Sequence, residues 1–172
     1  MDFLDDTITD LKAGAAFIEA AVAGLGAEEL RAKPEGGGWS MLEVLHHLWD
    51  EEREDFPLRL RLTLQDPLAE WPPIDPEGWA VSRNYNAASP VGVLAGFLAE
   101  REKNLEWLQG LEQPDWDRAH THSRAGALSA RRLALCWRAH DLLHGRQLLR
   151  LRYGRLQTLR RSESDMDYAG SW

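Results

Sequence analysis

Two histidines on one predicted helix face, His140 and His144, have the spacing that most directly suggests chemistry. They lie in residues 130–153, where apolar and histidine side chains recur at steps of three and four, so both rings are predicted to point inward. Imidazoles four residues apart can share one metal ion, although such pairs are more often hydrogen-bonded core residues. A catalytic site needs a third ligand, and His46 and His47 are both available. The spacing does not choose between them, because they fall on opposite flanks of their apolar stripe.

Four amphipathic helices are predicted to position these histidines. The first follows an apolar seam over residues 4–25. Ser40, Ser89 and Ser129 are the predicted N-caps of the other three, and Gly154 is predicted to end the last one. Because strand signals are absent, the expected fold class is all-α, a four-helix bundle whose metal site is built from side chains on facing helices.

Two long connections join these helices. Residues 66–89, rich in Pro and Trp, form a long crossover between helices two and three. Three of its side chains either line the mouth of the site or pack against the bundle: Trp79, Arg83 and Tyr85. The second connection, residues 110–128, contains His120 and His122, for which surface positions are favoured over a role as ligands.

Length and composition favour one soluble domain. The chain of 172 residues can bury a core without disulfides, so a bound metal is expected to be functional rather than a folding aid. The bundle is expected to span residues 1–154, followed by a loosely ordered polar tail over 155–172. Cys136, which has no partner in the chain, is expected to be a buried thiol. An acidic N-terminus and the lack of a long apolar run favour a cytoplasmic protein with no membrane partner.

Charge is distributed unevenly along the chain. The net charge is −8, with 24 acidic and 9 basic side chains in residues 1–117 but 4 acidic and 11 basic in residues 118–172. A nucleic-acid partner is not expected, because the basic residues lack glycine and aromatic interleaving and can pair with a neighbouring acidic helix. Two charges interrupt apolar seams. Glu52 is either a buried partner for an arginine or a site residue, and Arg101 either extends its charge to the bundle's edge or anchors substrate.

Two sequence elements resemble the DinB-like family. Residues 39–52 read W-S-M-L-E-V-L-H-H-L-W-D-E-E and resemble its signature W-S-x-x-E-x-L-x-H-L-x-D-x-E. The element from His140 through His144 to Gln147 resembles its H-D-x-x-H-x-x-Q motif, and residues 116–129 are similar to the stretch that leads into the last helix of the family. In one respect the chain departs from the family, because Ser123 stands where a proline usually follows the loop histidine region.

The resemblance, which covers about residues 35–153, implies a ligand set and a fold. Its metal ligands fall on His47, His140 and His144, which leaves His46 as a flanking residue. The family fold is a four-helix bundle with a long crossover, often dimeric, and a homodimer is therefore expected. The bound divalent ion in the family is zinc, nickel or another metal. Relatives include bacillithiol S-transferases and mycothiol-dependent maleylpyruvate isomerase.

The leading functional hypothesis is a metal-dependent enzyme. Three neutral imidazoles leave the ion's charge uncompensated, so a bound thiol or water loses its proton readily and can attack a small-molecule electrophile. A thiol S-transferase using a low-molecular-weight thiol, or a hydrolase, is expected. Glu52 is the candidate general base, while Asp141 and Glu51 are candidates to orient the ligands or else ordinary helix charges. The alternative is a non-catalytic stress-response or binding protein whose metal site is structural or vestigial.

Overall fold

A computed structural model describes residues 2–170, except for the side chain of Glu163. Met1 of the predicted domain and Ser171 and Trp172 of the predicted tail therefore lie outside the described residues. Within this part of the chain the α-helices are α1 (Phe3–Val22), α2 (Ala27–Arg31), α3 (Met41–Glu54), α4 (Phe56–Gln65), α5 (Pro76–Ser82), α6 (Pro90–Gln109) and α7 (Ala130–Leu159). A two-stranded sheet consists of β1 (Ala119–His122) and β2 (Gly126–Ser129), and short 3-10 helices cover Tyr85–Ala87 and Glu163–Ala169.

Four long helical segments form the predicted bundle: α1, α3 continued by α4, α6 and α7. The main contacts are between α1 and α7, α3 and α6, α1 and α6, and α4 and α7. Apolar residues at helical spacing fill the interior, among them Ile18, Leu45, Phe97 and Leu148, which are all fully buried. The all-α four-helix fold class is confirmed, and no helix in residues 2–170 combines the length and apolar character needed to cross a membrane.

The predicted helix starts are correct because their side chains cap backbone N–H groups. The hydroxyl of Ser40 accepts from the Glu43 N–H, and the Glu43 carboxylate accepts from the Ser40 N–H, which forms a capping box. Ser89 and Ser129 accept in the same way from N–H groups three residues later. These caps fix where α3, α6 and α7 begin, and therefore which residues of each helix face the interior.

The second predicted helix is broken in the structure. Asp55 adopts φ −123° and ψ −98°, which separates α3 from α4. Pro57 has no N–H to donate to the carbonyl of Arg53 and stands at the start of α4, where a missing N–H costs least. The break redirects the chain, so that α4 packs against α7.

Three sequence predictions about the second half of the chain are wrong. A strand pair exists, β1 and β2, in which Ala119 pairs with Ser129 and His122 with Gly126. Gly154 does not end the last helix, because its backbone stays helical and α7 continues to Leu159, into the predicted tail. Cys136 is exposed rather than buried, because it lies about 100° around the helix from the buried Trp137.

Candidate metal centre

Three histidines from two helices converge on one point. His47 lies on α3, and His140 and His144 lie one turn apart on α7. The Nε2 atom of His140 is 3.2 Å from that of His47 and 3.1 Å from that of His144, and a ligand atom from each ring lies within 4.8 Å of the other two. The structure therefore brings together the three histidines that the resemblance implied.

The donor set fits a divalent metal ion. Ligands at about 2.05 Å from a tetrahedral zinc ion are separated by about 3.3 Å, close to the two observed Nε2 separations. Burial lowers the pKa of His47 to about 3 and that of His140 to about 2, and it also lowers the pKa of His144. The three rings are consequently neutral near neutral pH, which is the protonation state that binds metal.

A hydrogen bond from Gln147 selects the tautomer of His144. The Oε1 atom of Gln147 lies 2.8 Å from Nδ1 of His144, and an amide oxygen can only accept. The ring proton is thereby held on Nδ1, which leaves the Nε2 lone pair directed at the other two histidines. This is the arrangement by which polar neighbours orient metal-binding histidines.

Glu51 lies beside the outer nitrogen of His47. Its Oε1 atom is 3.6 Å from Nδ1 of His47, beyond hydrogen-bond distance, and both atoms are buried without a hydrogen-bond partner. Burial, with an added contribution from Asp55, raises the pKa of Glu51 to about 9. Asp55 in turn contacts Arg59 at 2.8 Å. The Glu51 carboxyl is therefore positioned to accept a hydrogen bond from His47 once that ring carries its proton on Nδ1.

The carboxylates of Glu52 and Asp141 surround a buried guanidinium. Arg101 on α6 donates to Asp141 at 2.7 and 2.9 Å, to Glu52 at 2.7 Å and to the Leu11 carbonyl at 2.7 Å. Glu52 also accepts from Trp137 Nε1 at 2.6 Å. Since Arg101 is 1% exposed, the prediction that its charge reaches the bundle's edge is wrong.

Burial alone would lower the pKa of Arg101, but the Glu52 and Asp141 carboxylates raise it above its ordinary value. The guanidinium therefore stays charged, and its two terminal nitrogens are taken by protein acceptors rather than left for substrate. For Glu52 these contacts favour the role of arginine partner. A catalytic role for Glu52 or Asp141 stays a prediction.

The crossover residues gather around the opposite flank of α3. Tyr85 donates to Asp50 at 2.5 Å and stacks on His46 at a ring-centroid distance of 4.1 Å. Arg83 pairs with Asp50 at 2.7 Å and its guanidinium lies 4.1 Å from the centre of the Trp79 ring. These contacts are with Asp50 and His46 rather than with the three converging histidines, which favours packing over a place in the mouth.

The loop histidines have structural contacts of their own. His120 stacks on Trp71 at 4.1 Å, and its Nδ1 lies 3.0 Å from the Pro67 carbonyl. His122 accepts at Nδ1 from the N–H groups of Arg124 and Ala125, which closes the turn between β1 and β2. Neither ring is part of the three-histidine cluster.

A cleft of about 600 Å³ opens beside His144, and its lining includes residues that the sequence analysis did not single out. Within the described part of the chain its lining consists of Leu143, His144, Arg146, Gln147 and Arg150, all on α7. The available signal was the four-residue spacing between Arg146 and Arg150, which places both on one face of the predicted helix.

Comparison of the sequence with known proteins identifies the family of the chain. The sequence profile of the DinB superfamily matches residues 11–148. A protein of Oceanobacillus iheyensis named as a candidate metal-dependent hydrolase is 25% identical over 128 residues, which cover 73% of this chain and 72% of that protein. A protein of Bacillus licheniformis with the same description is 27% identical over 124 residues, covering 72% and 69%.

A solved structure shares the fold. YfiT from Bacillus subtilis, described as a probable metal-dependent hydrolase with an unusual four-helix bundle topology, matches with a TM-score of 0.72 at 24% identity, over 90% of each chain. At that identity the likeness concerns the fold alone. The profile match, however, covers most of the chain and all three histidines of the cluster. The chain belongs to the DinB superfamily.

Proposed function

We propose that this protein is a metal-dependent enzyme in which His47, His140 and His144 hold one divalent ion, zinc or nickel. The observation that supports it most directly is the convergence of three neutral, largely buried imidazoles, with Nε2 separations of 3.1 and 3.2 Å. The likeness to candidate metal-dependent hydrolases agrees with this proposal.

The proposed reaction is the attack of a thiol or a water molecule on a small-molecule electrophile, which makes the enzyme an S-transferase or a hydrolase. A divalent ion in such a site supplies Lewis acidity, which lowers the pKa of a thiol or water molecule that binds beside the histidines. The side chains around the histidines provide orientation. Gln147 holds the proton of His144 on Nδ1, and Glu51 is placed to do the same for His47.

Glu52 and Asp141 are proposed to act as positioning residues through Arg101. Asp141, which pairs with Arg101, follows His140 directly on α7. Trp137, which donates to Glu52, lies about one helical turn before His140. The buried ion cluster thus fixes the rotation of α7 relative to α3 and α6. It keeps the two α7 histidines facing His47 before any metal arrives, which reduces the cost of assembling the site.

The test is reconstitution of activity. Chelator-treated protein would be assayed with and without added Zn²⁺ or Ni²⁺, using cysteine with monochlorobimane for thiol transfer and p-nitrophenyl acetate for hydrolysis. The proposal expects activity in one assay that depends on the metal, is lost in His47→Ala and is kept in His46→Ala. Equal activity without metal would refute it. Metal binding that raises thermal stability but supports no turnover with any thiol or ester tried would favour the structural-site alternative.

A further inference from the structure

The cleft beside His144 carries two arginines that have no ion-pair partner within the described residues. Arg146 and Arg150 are exposed, line the cleft and lie one helical turn apart on α7, which places their side chains on the same face. Neither has an ion pair or a side-chain hydrogen bond with any residue of the described part of the chain. The cleft therefore presents two uncompensated positive charges next to a metal-site histidine.

Other arginines on the same helix are already engaged. Arg138 pairs with Asp10, Arg155 pairs with Glu29, and Arg152 donates to the Ala21 carbonyl at 2.8 Å near the end of α1. Between Arg138 and Arg155, the two arginines of α7 without an ion pair or side-chain hydrogen bond in the described residues are thus those that line the cleft. A compact anion matches this distribution better than an extended polyanion, which needs a continuous basic stripe.

The remaining cleft residues define how a ligand would lie. Gln147 uses its Oε1 atom to accept from His144, and the charged donors in the lining are the two guanidinium groups. Leu143, which is 55% exposed, adds an apolar surface. A guanidinium offers paired N–H donors that match the two oxygens of a carboxylate or phosphate.

We infer that the cleft binds a small molecule carrying a carboxylate or phosphate group, with that group held by Arg146 and Arg150 and its reacting end beside His144. This inference rests on the proposed function for the identity of the ligand as a substrate, whereas anion binding itself does not depend on it. The two arginines are specificity residues, because a neutral analogue of the same shape leaves both guanidinium groups without a partner.

The test is calorimetric titration with succinate and with methyl phosphate, and with succinamide as the neutral analogue. It would be run on both metal-free and zinc-loaded protein. The variant Arg146→Gln/Arg150→Gln is compared with Arg124→Gln/Arg161→Gln, which removes the same two charges at exposed positions outside the cleft lining. Because exposed charge pairs contribute modestly, removing both arginines should weaken anion binding on the order of tenfold, and the control variant should change it less than about twofold.

The two anions distinguish the ligand's chemistry, and tighter binding of one assigns the group as carboxylate or phosphate. Equal weakening in both double variants, binding of succinamide as tight as that of succinate, or no binding of either anion to the wild type would overturn the inference. Titration of Zn²⁺ into the same samples separates the two proposals. If zinc does not bind the wild type, the proposed function fails, while the anion titrations of metal-free protein still decide the role of the arginines.

Discussion

Replacement of Arg101 by methionine tests the ion cluster at the centre of the bundle. Arg101 links α6 to the Leu11 carbonyl of α1, to Glu52 of α3 and to Asp141 of α7. The side chains of Arg101, Glu52 and Asp141 are each at most 3% exposed. Methionine keeps the length of the apolar stem but removes the positive charge. Two carboxylates would then be left buried without their cation.

The expected loss is large because an uncompensated buried charge is costly. Truncating one member of a buried ion pair typically costs about 3–5 kcal/mol of unfolding free energy. In a chain of this length each kcal/mol lowers the melting temperature by roughly 2–4 °C, so a decrease on the order of 10 °C is expected. Arg138→Met is the matched control, since its partner Asp10 is largely exposed and the pair is expected to contribute less than about 1 kcal/mol.

The assay is urea denaturation of metal-free protein, so that metal binding does not mask the change. The combined variant Arg101→Met/Glu52→Gln/Asp141→Asn, which neutralises both carboxylates, should recover part of the loss because no buried charge remains. If Arg101→Met cost no more than Arg138→Met, the cluster would not hold the helices together. Failure of the triple variant to recover any stability would argue against unpaired charge as the cause.

Three further predictions concern single side chains. Because burial raises the pKa of Glu51 from 4.5 to about 9, the metal-free fold loses stability as pH rises between those values. Glu51→Gln should therefore add about 3 kcal/mol of unfolding free energy near pH 7 but only about 1 kcal/mol near pH 5, and a gain independent of pH in urea titrations would contradict this. Gln147→Leu should weaken zinc affinity by about 10–100-fold in a chelator competition assay, whereas unchanged affinity would remove its orienting role. A Cβ on Gly14 would collide with the Asp141 carboxylate, so Gly14→Ala should lower the melting temperature, while Gly154→Ala, in open space within α7, should raise it; both changes in the same direction would refute the packing argument.

Local sequence signals predicted the helices and their starts. Serine N-caps and apolar periodicity depend on residues three or four positions apart, and these short-range rules located α3, α6 and α7 correctly. The break at Asp55 was missed, although Pro57 was a visible warning. The strands β1 and β2 have four residues each and no clear apolar alternation, so their pairing could not be detected from pattern.

The site required information from distant parts of the chain. His46 and His47 are equivalent by helical periodicity, and the resemblance rather than spacing selected His47, which the structure places 3.2 Å from His140. The environment of Arg101 depends on Glu52 and Asp141, which are 49 and 40 residues away along the chain. No local pattern encodes such pairs, because only the folded bundle brings the three helices together. The cleft beside His144 could not be predicted from local patterns either, because its open space depends on how the folded chain packs.

The most direct test of the metal centre compares the two adjacent histidines. Protein without a histidine tag would be purified as wild type, His46→Ala and His47→Ala, incubated with Zn²⁺ and analysed for bound metal by elemental analysis. The structure predicts about one ion per chain in the wild type and in His46→Ala, because His46 stacks on Tyr85 outside the cluster, and a strong loss in His47→Ala. Equal metal content in the two variants, or none in the wild type, would contradict the three-histidine site.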